Sequence, residues 1–501
     1  MKVKIECLPE PELAFGQGKT GLEPRRILAK AGPADAGRIS VVHVALVGPA
    51  ADIEVARPWI QKLNGFLAAH EGNSARYREW PGAPVALGVR FVVEDRFMRP
   101  IDESRLELAQ RKGLSSRDGF DDLLDLFDSR ITGLLGDSGP DCIVVVLPEE
   151  IADLRIENPG LTLQERRALE QLRAEEESQQ LSLFAPSPED LRAAEELRMQ
   201  ADDLLFRTFY RALKARSQAH VNPIPIQVLR RDTVDRPNEK GKGQSMATRA
   251  WNIGSALYYK AAGLPWRPAD LPDNTCFVGV SFHHLKKRSG SLVYASVAQA
   301  FSTTGEPFTL KGATIDHDQR QDKQPYLNET QALNLLRDVL DHYQARTGLL
   351  PSRVVVHKTT TYHPDEEKGF RSATHDRVPA CDLIWIRSTP FRLIRKGMQE
   401  PWRGTLCTVG QENYLFTSGF VPWWNEYPGP HIPAPIQIGA SGDTDIRQRA
   451  IEILALTKMN WNSTEGISRY PITLSFAKRV GQLMSELSEN QDPNPSYRFN
   501  M

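Results

Sequence analysis

Two apolar runs leave this chain few folds to choose from: Ile39-Ser-Val-Val-His-Val-Ala-Leu-Val47 and Cys142-Ile-Val-Val-Val-Leu147. A strand with one wet face alternates apolar and polar residues. The second run does not alternate at all, and both read as parallel strands covered by helices on both faces. The first leads through Gly48-Pro49-Ala50 into an amphipathic stretch reaching about Ala69, and a further helix is expected around Asp118–Leu135, just ahead of the second run. Strand, turn, helix, strand is a βαβ unit, so a Rossmann-like α/β layer is predicted. The turn from Val47 to Asp52 lacks the GxGxxG spacing, so dinucleotide chemistry does not follow from it.

With 501 residues and a net charge of −1, the chain has room for two domains, and a nucleic-acid site would be a local groove rather than a general basic surface. Five scattered cysteines without a CxxC pair fit a reducing compartment and no zinc ribbon. No leader or membrane-spanning run is visible, so a cytoplasmic location is expected. Residues 1–37 read as irregular, broken by Pro9, Pro11, Pro24 and Pro33. Residues 150–205 read as a solvated helical insertion laced with alternating charge.

The stretch Phe209–Trp266 carries the candidate site. Tyr210 and Lys214 are four apart and share a helix face. Gln227 follows the alternating Pro223-Ile-Pro-Ile226 into a strand, and Lys260 ends a second helix beside the stripe Met246, Ala250, Ile253, Leu257, Ala261, with Gly263 as the stop. Two ammonium groups, a phenol and an amide suit a terminal phosphate. Spacing alone favours the bland alternative, in which these are ordinary helix-surface residues and Lys260 reaches out to water. The Arg230–Arg249 loop, with Arg231, Arg236, Lys240 and Lys242, is placed to rim the pocket and follow a phosphodiester backbone.

From Asn274 the texture changes. Strands are expected at Cys276–Phe282, Ser291–Phe301 and up to Ile315. A helix capped by Asn328 and Gln331 and stopped by Gly348 follows, then strands at Arg353–His357 and Asp382–Arg387 with a helix near Asp365–Ser372 between them. Further strands around Thr405–Thr417 and helices at Asp445–Lys458 and Leu474–Leu487 complete the order of an RNase H-like fold.

The order Tyr-x-x-x-Lys, Gln, then Lys before Gly resembles the guide-binding MID domain of Argonaute proteins. The segments FVGVSF (277–282), RVVVHKTT (353–360) and KMNWNSTEGISRYPITLSFAKRVGQL (458–483) resemble the PIWI domain. The resemblance covers essentially the whole chain and points to short prokaryotic Argonautes, consisting of MID and PIWI alone. It implies an α/β architecture: a Rossmann-like MID domain over 1–268, then an RNase H-like PIWI domain over 269–501. It also implies that Tyr210, Lys214, Gln227 and Lys260 grip the 5′ phosphate of a guide. The C-terminal carboxylate, on Met501, would fold back to that pocket and help the guide phosphates hold a Mg²⁺ ion of structural role.

An active PIWI site needs carboxylates for two divalent cations. Ser281 and Thr359 stand at the two positions where the resemblance places them, and residues 276–285 and 353–362 contain no Asp or Glu. Cleavage is therefore expected to be absent. The rival is a nuclease using unaligned carboxylates such as Asp316 or Glu366/Glu367. A second rival is a plain interaction module with a vestigial pocket. Asp316-His-Asp318 with Asp322 reads as a solvated turn, and His283, His284, His357 and His363 lack cysteine partners for zinc. The resemblance further implies a guide RNA, a complementary single-stranded DNA target, and an APAZ-containing partner carrying a TIR, sirtuin-like or nuclease effector.

Overall fold

The computed structural model describes the chain apart from residues 1, 70–71, 112, 114–115, 137, 158–205, 236–243, 287–291, 303–306, 317–324, 398–399, 430–431 and 488–490. Most of the expected helical insertion at 150–205 lies outside the described residues, as do Arg236, Lys240 and Lys242 of the basic loop.

A five-stranded parallel sheet runs in the order Ile226–Arg230, Cys142–Leu147, Val41–Pro49, Arg90–Val92, with Met98–Ile101 pairing the far half of Val41–Pro49. All of Cys142–Leu147 is buried. Its side chains alternate: Cys142, Val144 and Val146 enter one core, while Ile143, Val145 and Leu147 enter another. That is why the run shows no polar positions. Gly48 lets the neighbouring strand pack close, since a Cβ there would lie 2.6 Å from the Val146 carbonyl oxygen. The following helix, Ala50–Lys62, ends before the expected Ala69. Asn64 terminates it by exchanging side-chain hydrogen bonds with the Phe91 backbone at 2.8 and 2.9 Å.

The second sheet has nine strands in the order Val3–Cys7, Thr405–Val409, Glu412–Leu415, Ile436–Ser441, Ala380–Ser388, Arg353–Lys358, Thr275–Lys286, Leu292–Ser302, Phe308–Asp316. The last three form the expected antiparallel meander, and Thr275–Lys286, Arg353–Lys358 and Ala380–Ser388 are parallel. The helix Glu329–Thr347 has both bonds of its Asn328/Gln331 capping box, and Gly348 closes it in the left-handed conformation. The Rossmann-like and RNase H-like layers predicted from the sequence are therefore both present.

Several strands were not visible in the sequence, Arg90–Val92 and Met98–Ile101 among them, and two of these shape the second sheet. Ile436–Ser441 follows a proline-rich stretch, and Val3–Cys7 lies in the segment read as irregular. Val3–Cys7 pairs antiparallel with Thr405–Val409 and so extends the sheet of the other half. Glu10 then pins this segment: Arg403 Nε lies 3.0 Å and Lys458 Nζ 3.1 Å from its carboxylate. Burial alone pushes the Glu10 carboxyl up, but the two cations overcome it and hold the group below its ordinary range.

The halves share one core. Val44, Leu46 and Val144 from the first sheet join Phe277, Val355 and Ile384 from the second, with Trp266 and Trp461 between them. The two tryptophans interlock, Trp266 Nε1 donating to the Lys458 carbonyl at 3.0 Å and Trp461 Nε1 to the Trp266 carbonyl at 3.1 Å.

Candidate functional site

Lys214 lies on the helix Phe209–Gln218 and Lys260 is the last residue of the helix Met246–Lys260. Their ammonium groups meet on one atom. Lys214 Nζ donates to the main-chain oxygen of Met501, and Lys260 Nζ donates to the same oxygen and to the Arg498 carbonyl, each at 3.1 Å. Lys260 is 0% exposed and Lys214 4%, so neither reaches out to water as the bland reading required. The turn after Lys260 is tight: Gly263 N donates to the Tyr258 carbonyl, and a Cβ at Gly263 would fall 2.4 Å from the Tyr258 ring.

Aromatic packing brings the chain's last described residues here. Tyr497 is fully buried, stacked on Phe476 at 3.8 Å and edge-on to Tyr259 and Trp461 at 5.5 Å. Phe499, two residues on, is only half-buried.

Tyr210 sits one turn before Lys214, with the ammonium 4.8 Å from its ring centroid, and the residue is 39% exposed. Gln227 is in the strand Ile226–Arg230, but its amide donates to the neighbouring Val228 carbonyl at 3.1 Å. Thus the structure joins Tyr210, Lys214, Lys260 and Met501 and leaves Gln227 turned to its own strand. Arg479, on the helix Ile472–Met484, is a member that the spacing argument missed. Its charge acts on Tyr210, Lys214, Lys260 and Tyr497 alike. Only its place within the 458–483 segment hinted at it, since no local pattern says which distant helices it faces.

Burial pushes Lys214 down to about 7, with Arg479 adding to the shift. Lys260 is also pushed well down, by burial and then by Lys214. Among the described residues no Asp or Glu side chain forms an ion pair with Lys214, Lys260 or Arg479. Buried cations in that state favour any anion that reaches them. The described part of the basic loop is tied down instead: Arg230 pairs with Asp153, Arg231 with Asp52 at 2.6 Å, and Arg249 donates to the Thr233 carbonyl at 2.8 Å.

At the second site, Val280 pairs with Lys358, so Ser281 and Thr359 are the next residues on adjacent parallel strands. Ser281 is buried and Thr359 exposed. Between them and the helix Pro364–Thr374 stands a closed ion pair, Lys358 with Glu366, respectively 1% and 0% exposed. Glu366 also accepts from the Leu327 and His363 backbone amides, each at 2.9 Å. Glu367 pairs with Arg371 at 2.8 Å. Asp316 ends the sheet-edge strand, one strand removed from Thr275–Lys286, and its side chain lies outside the described residues, as do His317, Asp318 and Asp322. The side chains of His283 and His284 also lie outside them. Burial pushes His357 down to about 3, and its Nδ1 lies 2.9 Å from Thr473 Oγ1. His363 caps a helix and stacks on Tyr326 at 3.9 Å. Among the described residues no three His, Cys, Asp or Glu side chains gather as a metal site, and no helix is long and apolar enough to cross a membrane.

No protein-family profile and no curated protein matches this sequence. Solved structures do. Clostridium butyricum Argonaute, bound to a guide DNA and a 19-mer target DNA, overlays 99% of this chain and 54% of its own at 14% identity and a TM-score of 0.62. Drosophila Piwi overlays 99% and 56% at 13% identity and 0.57. A. aeolicus Argonaute overlays 99% and 55% at 13% identity and 0.56. The fold is that of the Argonaute proteins. This chain spans about half the length of the Argonaute structures it matches. In the Argonaute fold seen here, the paired lysines and the Ser281/Thr359 strand ends lie in different halves, joined by the shared core.

Proposed function

We propose that this chain is a short prokaryotic Argonaute that senses nucleic acid for a defence system without cutting it. It would take a 5′-phosphorylated guide RNA at Tyr210, Lys214 and Lys260, with Gln227 turning in when the phosphate binds. Pairing of the guide with a complementary single-stranded DNA would then supply the sequence recognition. The observation that carries the reading is the meeting of two buried ammonium groups on one main-chain oxygen, with no acidic side chain among the described residues in an ion pair with either. Support for guide and target comes from the similar Clostridium butyricum structure, whose protein holds both as DNA.

Output would pass to an APAZ-containing effector in the cytoplasm, of TIR, sirtuin-like or nuclease type, as target pairing shifts the complex to an active state. A Mg²⁺ ion at the guide 5′ end is less well served. Met501 offers one oxygen flanked by two ammonium groups, which does not by itself hold a divalent cation. Most of its ligands would be phosphate oxygens.

The nuclease rival is disfavoured by Glu366, whose carboxylate is already shared by Lys358 and two backbone amides. The deciding experiment loads the protein with a 5′-phosphorylated guide and adds a labelled complementary strand with Mg²⁺ or Mn²⁺. Tight, guide-dependent retention of an intact strand is expected; guide-directed cleavage would end the non-cutting reading. Equal binding of 5′-phosphorylated and 5′-hydroxyl guides would return the pocket to the vestigial rival.

A further inference from the structure

The nine-stranded sheet has an open edge. Val3–Cys7 is its terminal strand, paired on one side with Thr405–Val409. The ladder shows which backbone groups that pairing uses. Gly410 N donates to the Lys2 carbonyl at 3.1 Å and Leu8 N to the Gly404 carbonyl at 2.9 Å, both continuing the register of the pair. Hydrogen bonding alternates along an antiparallel strand, so Lys2, Lys4, Glu6 and Leu8 turn their peptide groups inward. Val3, Ile5 and Cys7 point theirs outward. Among the described residues no other strand pairs with that outer side, and no backbone hydrogen bond from another segment reaches it.

Sheet edges are commonly blunted by proline, by bulges or by charges that repel a second strand. This edge runs without proline or register shift, and Val3 and Ile5 are 53% and 54% exposed, on one face with the exposed Cys7. Lys4 and Glu6 stand on the other face, where Glu6 meets Arg447 at 3.0 Å and Lys4 at 3.2 Å. Their order makes Val3-Lys-Ile-Glu-Cys7 its own complement when a second copy runs antiparallel beside it. With Ile5 opposite Ile5 of the copy, Val3 faces Cys7 and each Lys4 faces a Glu6. The outward peptide groups then match, and the charged pairs fall at the non-hydrogen-bonded positions, where opposed side chains lie closest. Sliding the copy by two residues keeps the hydrogen bonding but sets Lys4 against Lys4 or Glu6 against Glu6. Charge thus selects one register. Lys4 is 69% exposed and can turn from its own Glu6 to that of the copy.

We propose that Val3–Cys7 is a docking strand for a second copy of this chain, joining two nine-stranded sheets across a two-fold axis at Ile5. The dimer goes beyond the proposed function and depends on neither the guide nor the paired-lysine pocket.

The test is sedimentation of the full chain, without nucleic acid, over a range of concentrations; a concentration-dependent dimer is expected. Lys4→Glu should raise its dissociation constant by about tenfold, because two attractive cross-strand pairs become repulsive, and Glu6→Lys should do the same. Mixing the two variants should restore the dimer, since both cross-strand pairs are then again opposite in charge. A pair that serves only within one chain gains nothing from mixing. In a Cys7→Ser chain, Ile5→Cys should form an intermolecular disulfide under mild oxidation, because residues opposed in a hydrogen-bonded pair have Cα atoms about 5.5 Å apart, within the span a disulfide bridges. A monomer at every concentration, or a dimer indifferent to both charge reversals and to position 5, would overturn the proposal. So would a chain that is monomeric alone and cross-links from position 5 to a co-purified protein, which would give the edge to a foreign strand.

Discussion

The chain buries lysines in two places and treats them in opposite ways. Lys358 faces Glu366, a carboxylate locked by two backbone amides at the first turn of a helix. Among the described residues, Lys214 and Lys260 donate to oxygens of Arg498 and Met501, and no Asp or Glu side chain forms an ion pair with either. A buried ammonium matched by a fixed carboxylate is neutral as a pair and has no call on solvent or ligand. Two buried amines that share one oxygen give up their protons more readily, and an arriving anion would favour their charged form. The first arrangement closes the strand ends where an RNase H-like site would gather metal; the second suits an anion, as the proposed function requires. Burial alone does not distinguish the proposed binding lysines from Lys358, since all three are almost fully buried; their partners do.

The comparison breaks most visibly in binding. Replacing Lys214 and Lys260 together by Ala should remove about 3–6 kcal/mol of affinity for a 5′-phosphorylated strand, because each charge-assisted contact contributes about 1.5–3 kcal/mol. The 5′-hydroxyl strand should lose far less, and direct titration of the two strands reads the difference. An equal loss for both would mean that the lysines only support the fold.

Stability should show the reverse pattern. Lys358→Ala leaves Glu366 buried without its cation and should lower unfolding free energy by about 3–5 kcal/mol in a urea melt. Lys358→Met with Glu366→Gln should restore most of it, since a buried pair replaced by neutral groups of similar size costs little. In the chain without ligand, Lys214→Met should cause no comparable loss.

Acidity sharpens the contrast at the pocket. Lys214 is pushed down to about 7, so below that pH it offers the phosphate an ammonium group already formed. Above it, binding must first restore the proton, and affinity for the 5′ phosphate should fall by up to about tenfold per pH unit. Lys214→Arg, charged throughout, should make that dependence shallower, leaving the part that Lys260 contributes, and a Kd series across roughly pH 6 to 9 checks it. The smallest effect belongs to Arg230. Its pair with Asp153 is solvent-exposed on both sides, so Arg230→Ala should change stability by no more than about 0.5 kcal/mol in the same urea melt.

Much of this architecture was legible residue by residue. The unbroken Cys142–Leu147 run announced a strand buried on both faces, and Asn328, Gln331 and Gly348 marked the ends of their helix. These features depend on neighbours within one turn or one strand, where side-chain period and capping act. The Tyr210 and Lys214 pairing was legible for the same reason. Gln227 was not, because its alternation fixes a strand but not where its amide bonds.

Sequence by itself determined the two α/β layers, the absence of carboxylates beside Ser281 and Thr359, and a set of polar residues fit for phosphate. Only the tertiary structure decided that Val3–Cys7 completes the distant sheet, that Lys358 is neutralised by Glu366, that Met501 meets Lys214 and Lys260, and that the charge of Arg479 acts on both. The physical reason is range. Periodicity and capping are local, whereas the charge around a buried ammonium is set by whichever distant segment the core packs against it, as Tyr497 does here for Met501.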